Sequence, residues 1–268
     1  MRYLAALAAL TLPFAPAIAA EGDAAVEPKP AALVADGVPA VPAELTAATR
    51  PYMEYRGAAF VGWNPADKSM LIATRFGNTA QLHRVARPMG AREQLTFEAE
   101  PVAHGGWSPS GGDMMLVEKD VGGSEFYQIY AMKDGRLTLL TDGKSRNSLD
   151  AWSRDGSLVA FTSTRRNGRD NDIYVMNPRD RASARLAAQV DSNGWSVAGF
   201  APDKSWALAA RSASVEKTDL FRLDLASGTM TPIGDHKKKI AFEGASFAPD
   251  GTIWVTSDVG SDVLRLGT

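Results

Sequence analysis

Residues 152–177, WSRDGSLVAFTSTRRNGRDNDIYVMN, decide the fold. Trp152 ends one β-prone run. Arg154-Asp155-Gly156 then makes a turn in which Gly156 can take the positive φ that closes a tight hairpin. Residues 157–163, SLVAFTS, form the next β-prone run. A polar loop over 165–170 separates it from 172–176, DIYVM, which is rich in β-branched and aromatic side chains. One hairpin is too small to bury its own apolar faces. The unit makes a fold only if it repeats.

It does repeat. The aromatic-plus-turn element recurs at Trp63, Trp107, Trp152, Phe200 and Phe247, at spacings of 44, 45, 48 and 47 residues. The strand after each turn recurs as MLIAT from Met70, MMLVE from Met114, LVAFT from Leu158, WALAA from Trp206 and IWVTS from Ile253. The following strand recurs as LHRV from Leu82, IYAM from Ile129, IYVM from Ile173, LFRL from Leu220 and VLRL from Val263. A fourth element closes four of the units: QLTF from Gln94, LTLL from Leu137, RLAA from Arg185 and MTPI from Met230. Four short strands at this period define one blade of an all-β propeller. A sandwich with evenly spaced turns would not keep five copies in register.

The rest of the 268 residues fits a secreted globular chain. Apolar residues make up 45% and charged residues 22%, with a formal net charge of −2. That balance gives no strong field for nucleic acid or acidic lipid. There is no cysteine, which excludes disulfides, thiolate chemistry and a lipoprotein anchor. Residues 1–20, MRYLAALAALTLPFAPAIAA, carry a basic start at Arg2, an apolar run over 4–14 and a small-x-small site at Ala17-Ile18-Ala19. They read as a signal peptide cleaved after Ala19 or Ala20; the run is too short for a membrane span. The expected location is therefore the periplasm or outside the cell. Residues 21–50 read as a flexible leader, with a short helix over 42–49 that has Pro42 as its first residue. The blades occupy 51–268.

The pattern W-S-x-D-G, apolar strand, T/S-x-R-x-x-G-x-x-D-I-Y-V-M, as it stands at 152–176, resembles the TolB-type propeller repeat. A wider set of stretches resembles the N-terminal propeller of prolyl oligopeptidase family serine peptidases. These are RPYMEYRGAAFVGW (50–63), ATRFGNTAQLHRV (73–85), EFYQIY (125–130) and LLTDGKSRNS (139–148). The likeness covers about residues 45–268. It implies a propeller that gates peptide access to a separate α/β-hydrolase domain. That domain would carry a serine in a G-x-S-x-G elbow, followed by Asp and His.

This chain supplies no such elbow. Gly106-Trp107-Ser108-Pro109-Ser110, Gly194-Trp195-Ser196-Val197-Ala198 and Gly244-Ala245-Ser246-Phe247-Ala248 come near it, but none precedes a helical pattern and no βαβ series holds one. Each reads as the first strand of a blade. His83, His104 and His236 fall in different blades, and His83 reads as a blade-surface residue. Asp170-Asn171-Asp172 opens like a calcium loop but lacks the following Gly and distal Glu, so it reads as a solvated hairpin loop. Arg165 and Arg166 line the funnel or are solvated, and 237–239 is a solvated basic run. No catalytic, cofactor-binding or metal-ligating residue is expected.

The functional expectation is a non-catalytic, substrate-gating propeller portion of a prolyl oligopeptidase-like peptidase. Its partners would be a peptide substrate or its own hydrolase domain. The alternative is a TolB-like module that binds a protein partner in the periplasm. The fifth unit shows strands at 245–247, 253–257 and 263–266 but no fourth. The array is thus expected to be an open ring, truncated at the C-terminus, with Leu71, Ile253 and Trp254 exposed on terminal faces. A leader strand paired beside 263–266 would instead close a five-bladed ring.

Overall fold

The computed structural model describes residues 25–102 and 104–268; the cleavage site at Ala19 and Ala20 lies outside them. The chain divides between Tyr55 and Arg56 into two compact units. In the first, Val26 bridges Pro42 in antiparallel fashion, with Ala43 N–H donating to Ala25 O at 2.7 Å. Helix α1 (Ala43–Met53) follows and buries no residue. Pro42 is its N-cap, extended at φ −63° and ψ 136°, rather than its first helical residue. The helix also runs past residue 49, because Pro51 near its end forfeits only one backbone hydrogen bond. Glu44 in the first turn and Arg50 in the last suit the helix dipole.

The second unit is a series of antiparallel sheets, each a simple meander. Blade one holds β1 (Ala58–Trp63), β2 (Met70–Thr74), β3 (Gln81–Val85) and β4 (Arg92–Gln94). Blade two holds β5 (His104–Trp107), β6 (Met115–Lys119), β7 (Gln128–Lys133) and β8 (Arg136–Leu139). Blade three holds β9 (Asn147–Trp152), β10 (Val159–Ser163), β11 (Asp172–Met176) and β12 (Arg185–Ala188). Blade four holds β13 (Trp195–Phe200), β14 (Trp206–Ser214), β15 (Lys217–Asp224) and β16 (Met230–Ile233). Blade five has three strands, β17 (Phe242–Phe247), β18 (Ile253–Ser257) and β19 (Arg265–Gly267). The fold is thus an all-β propeller array of five blades, and the repeat read from the sequence names its strands. The first strand of a blade lies beside that of its neighbour, β1 by β5, β9 by β13 and β13 by β17, which marks β1, β5, β9, β13 and β17 as the inner strands.

Short polar residues set the hairpin between the first two strands of a blade. Asp67, Asp155, Asp203 and Asp250 each accept the backbone N–H two residues on, from Ser69, Ser157, Ser205 and Thr252, at 2.8–3.1 Å. The residue between takes a positive φ in every case: Lys68 60°, Gly156 68°, Lys204 59° and Gly251 88°. At Gly156 a Cβ would also lie 2.7 Å from Ser108 Oγ of the preceding blade, so glycine is required there.

A second polar device joins each blade to the next. The residue that opens the third strand reaches the chain leaving the fourth. Gln81 donates to Glu98 O and Glu100 O at 3.0 Å. Gln128 donates to Ser145 O at 2.6 Å and accepts from Gly143 N–H at 2.9 Å. Asp172 accepts from Val190 N–H at 2.9 Å. All three side chains are buried. Each spares the crossover between blades an unsatisfied backbone group.

Apolar packing runs between neighbouring blades. Leu71, Leu82, Val102, Met115 and Val117 form the core of blades one and two. Leu116, Ile129, Val159, Phe161 and Met176 join blades two and three. Val175, Trp195, Val197, Phe200 and Leu223 join blades three and four. Blade five docks through Phe247, whose ring meets Trp206 edge-on at 5.0 Å. Leu71 is therefore not on a terminal face: it is fully buried, because β2 turns it toward blade two. Ile253 likewise lines a hollow of about 550 Å³ with Leu208 and Leu220 of blade four. Trp254 is exposed as expected, and on β1 of blade one Phe60 and Trp63 are exposed aromatics. Among the described residues no core cluster joins blades one and five, and β19 pairs only with β18.

Phe161 has no exposed surface and stacks on Tyr174 at 5.5 Å. Phe161→Ala should therefore cost about 3–5 kcal/mol. Urea unfolding checks this, and a loss below about 1 kcal/mol would show that blades two and three do not share this core.

Candidate functional site

The inner strands supply the candidate site, and strand register shows what is unusual there. Ala73, Glu118, Thr162, Ala210 and Thr256 occupy the same position in the second strand of the five blades. Their partners on the inner strands are Ala59, His104, Ser148, Ser196 and Gly244. Four blades place small residues at this level. Blade two places a glutamate opposite a histidine.

Bulges explain how these groups are held. β1, β9 and β13 each carry one extra residue at the same point, Val61, Asp150 and Ala198. The N–H before the bulge then turns away from its own sheet. Glu118 Oε1 accepts Leu149 N–H of blade three at 2.8 Å. Asp150 Oδ2 accepts Val197 N–H of blade four at 3.2 Å. Two carboxylates thus clamp consecutive inner strands. Among the described residues neither makes an ion pair. Burial pushes the Glu118 carboxyl above its ordinary range, while the nearby His104 acts weakly the other way. Burial pushes Asp150 well above its range, and the charge of Glu118 adds to the rise.

Next along β9, Trp152 has a buried Nε1–H with no hydrogen-bond partner. Its ring borders a hollow of about 160 Å³ with Arg154, Phe200, Pro202 and Phe247, floored by small residues of β13 and β17. The inner-strand face therefore offers raised carboxylates, an imidazole and an unspent indole donor. Among the described residues of this face no serine has an imidazole or carboxylate hydrogen-bonded to it. Ser108 has no exposed surface, and its hydroxyl donates to Ser110 O at 3.3 Å. Ser196 and Ser246 sit within β13 and β17.

The other sequence candidates fall elsewhere. His83 is buried, not on the blade surface. Its Nδ1 lies 3.0 Å from Gln81 O and its ring 5.4 Å from Phe76, because the third strand of blade one is covered on both faces. Residues 170–172 are not a solvated loop. Asp170 and Asp172 are buried, and Arg166 donates to Asp172 through Nε (2.6 Å) and Nη2 (3.0 Å) and to Val190 O at 2.8 Å. Arg169 Nε donates to Asp170 at 2.9 Å, and that hydrogen bond heads the causes that hold Asp170 down to about 2. Arg165 lies over the Tyr174 ring at 4.1 Å. Lys238 and Lys239 are exposed and meet Asp235 and Glu216. Among the described residues no three His, Asp or Glu side chains converge as a metal site would require.

No family model matches this chain, and no curated protein does. Solved structures do. TolB from Agrobacterium tumefaciens superposes with a TM-score of 0.55 at 18% identity, over 75% of this chain and 69% of that one. TolB from Acinetobacter baumannii gives 0.50 at 15% identity, over 78% and 52%. A prolyl endopeptidase gives 0.59 at 10% identity, over 78% of this chain and 34% of that one. These likenesses show the fold, a β-propeller. The chain spans about two thirds of the first of these proteins and about one third of the last.

Two outcomes follow from the geometry. In the first, Asp150→Asn should stabilise the chain at pH 7. A carboxyl with a raised pKa holds its proton longer in the folded state, so its ionisation lowers stability as pH rises. The gain should shrink as pH falls into the range where Asp150 itself protonates, and thermal melts from pH 4 to 8 will show whether it does. Asp67 carries the opposite sign. Hydrogen bonds from Ser69 hold it at about 2, so its contribution is lost as pH falls from 3.8 toward 2. In the second, Asp172→Ala should cost about 3–5 kcal/mol, since it strands Arg166 and the Val190 N–H. A denaturation curve that matches the parent would refute the clamp.

Proposed function

We propose that this chain is the non-catalytic propeller portion of a secreted or periplasmic prolyl oligopeptidase-like serine peptidase, and that it admits peptide to a catalytic α/β-hydrolase domain not among these 268 residues. One observation carries the reading. Trp152 Nε1 on inner strand β9 has no hydrogen-bond partner and its ring borders a hollow reaching β13 and β17, whereas the hydroxyl of Ser108, in the elbow-like sequence of blade two, is buried and spent on Ser110 O. An extended peptide offers what this face lacks, a carbonyl for the indole N–H. The superposition on a prolyl endopeptidase supports the same arrangement of blades.

A second reading is a TolB-like propeller that docks a protein partner. The broader overlap with the Agrobacterium TolB, 69% of its length, favours it. Export and signal removal at Ala19 or Ala20 belong to both readings.

The purified chain should hydrolyse neither chromogenic peptides nor simple esters, because no nucleophile constellation is present. Specific labelling of one serine by a fluorophosphonate probe would overturn this. To separate the two readings, the native protein can be isolated from its source and its mass measured. A species carrying a fluorophosphonate-reactive hydrolase domain supports the peptidase reading. A mass near that of residues 20–268, with a protein partner retained, supports the docking module.

A further inference from the structure

A hollow of about 780 Å³ in the second unit lies away from the inner strands. It sits where the outer half of blade two meets the loop after β11 of blade three. Lys133, Arg136, Arg179 and Arg181 line it against two carboxylates, Asp113 and Asp134, an excess of two positive charges. The two blades supply the cations in different ways.

On blade two, Lys133 and Arg136 are direct partners across the hairpin of β7 and β8. A two-residue turn joins them, with Asp134 at φ 49° and Gly135 at 73°. Like charges held directly opposite each other cost stability. Among the described residues neither makes an ion pair, and only the longer-range charge of Asp113 acts on Lys133.

On blade three the guanidinium groups are fixed. Arg179 Nη2 donates to both oxygens of Asp113 at 2.8 and 2.9 Å, which holds that carboxyl below its usual range. Arg181 Nη2 donates to Thr141 O at 2.9 Å. A guanidinium has five N–H groups, so Arg181 keeps most of its donors. Met114, Leu140 and Pro178 give the same hollow an apolar wall.

We propose that this hollow binds a phosphate-monoester-type dianion carried on an apolar body. Two cations without an ion-pair partner on one hairpin, with a tethered guanidinium facing them from the next blade, match the charge of about −1.5 to −2 and the multiple acceptor oxygens of such a group. The apolar wall gives the ester's body a place that free phosphate would leave empty. The site rests on residues separate from the inner-strand face, so it stands or falls independently of the peptidase reading.

The test is calorimetric titration of the full chain with phenyl phosphate and with inorganic phosphate at two salt concentrations. Phenyl phosphate should bind saturably, more tightly than inorganic phosphate, and more weakly at the higher salt. The double variant K133Q/R136Q should lose about tenfold or more in affinity. Its melting temperature should stay level or rise, since a like-charge pair is removed. R181Q, which leaves the hairpin intact, should also weaken binding. Sedimentation with vesicles containing phosphatidic acid identifies the source: retention lost in K133Q/R136Q assigns the group to a lipid headgroup, and no retention assigns it to a soluble ester. Absence of saturable binding, or equal affinity in the parent and K133Q/R136Q, overturns the proposal.

Discussion

The buried polar side chain that opens the third strand of a blade is the contact on which the array depends. Gln81, Gln128 and Asp172 each hold the chain as it leaves the outer strand and heads for the next inner strand. A crossover beneath a blade would otherwise bury backbone groups without partners, at about 1–3 kcal/mol each. The same fixing places the next inner strand within reach of its neighbour, and the apolar clusters between blades follow from that placement. In blade three the device is strongest: Arg166 closes a bidentate pair with Asp172 and also takes Val190 O.

The inner strands show a second use of carboxylates. A bulge turns one N–H out of the sheet, and a carboxylate from the preceding blade accepts it. Glu118 does this for Leu149, and Asp150 does it for Val197. Because burial raises both carboxyls, these groups couple the packing of blades two, three and four to pH within the carboxylate range and above it.

Much of this was legible in the sequence, for a definite reason. Strand position depends on local alternation and turn chemistry, and these repeat five times. Thus residues 70–74 and 253–257 were placed to the residue, while the third strand of blade five, expected from Val263, begins only at Arg265. What sequence could not give was the partner across blades. Leu71 reads as a terminal-face residue until β2 is seen to turn it toward Met115. Asp170 and Asp172 read as solvated because their counter-ion, Arg166, is supplied by the folding of the same loop. His83 alternates like a surface residue, yet Phe76 covers it. Glu118 did carry a signal: aligning the second strands of all blades leaves it the one large charged residue at a level otherwise held by Ala and Thr. The histidine opposite it becomes visible only through strand pairing.

Each blade is an up-and-down meander in which a strand pairs with the strand next to it in sequence. Most of the pairing is therefore low in contact order, and the loops that must close are short. Only the packing of one blade on the next requires longer closure, and that too joins neighbours in the chain. Such an array approximates a one-dimensional chain of coupled units, in which order can start in any blade and spread to the next. Blade three, with its two core faces and its arginine clamp, has most to gain from forming early. Synthesis from the N-terminus delivers it with one packing neighbour, blade two, before it and the other, blade four, still to come.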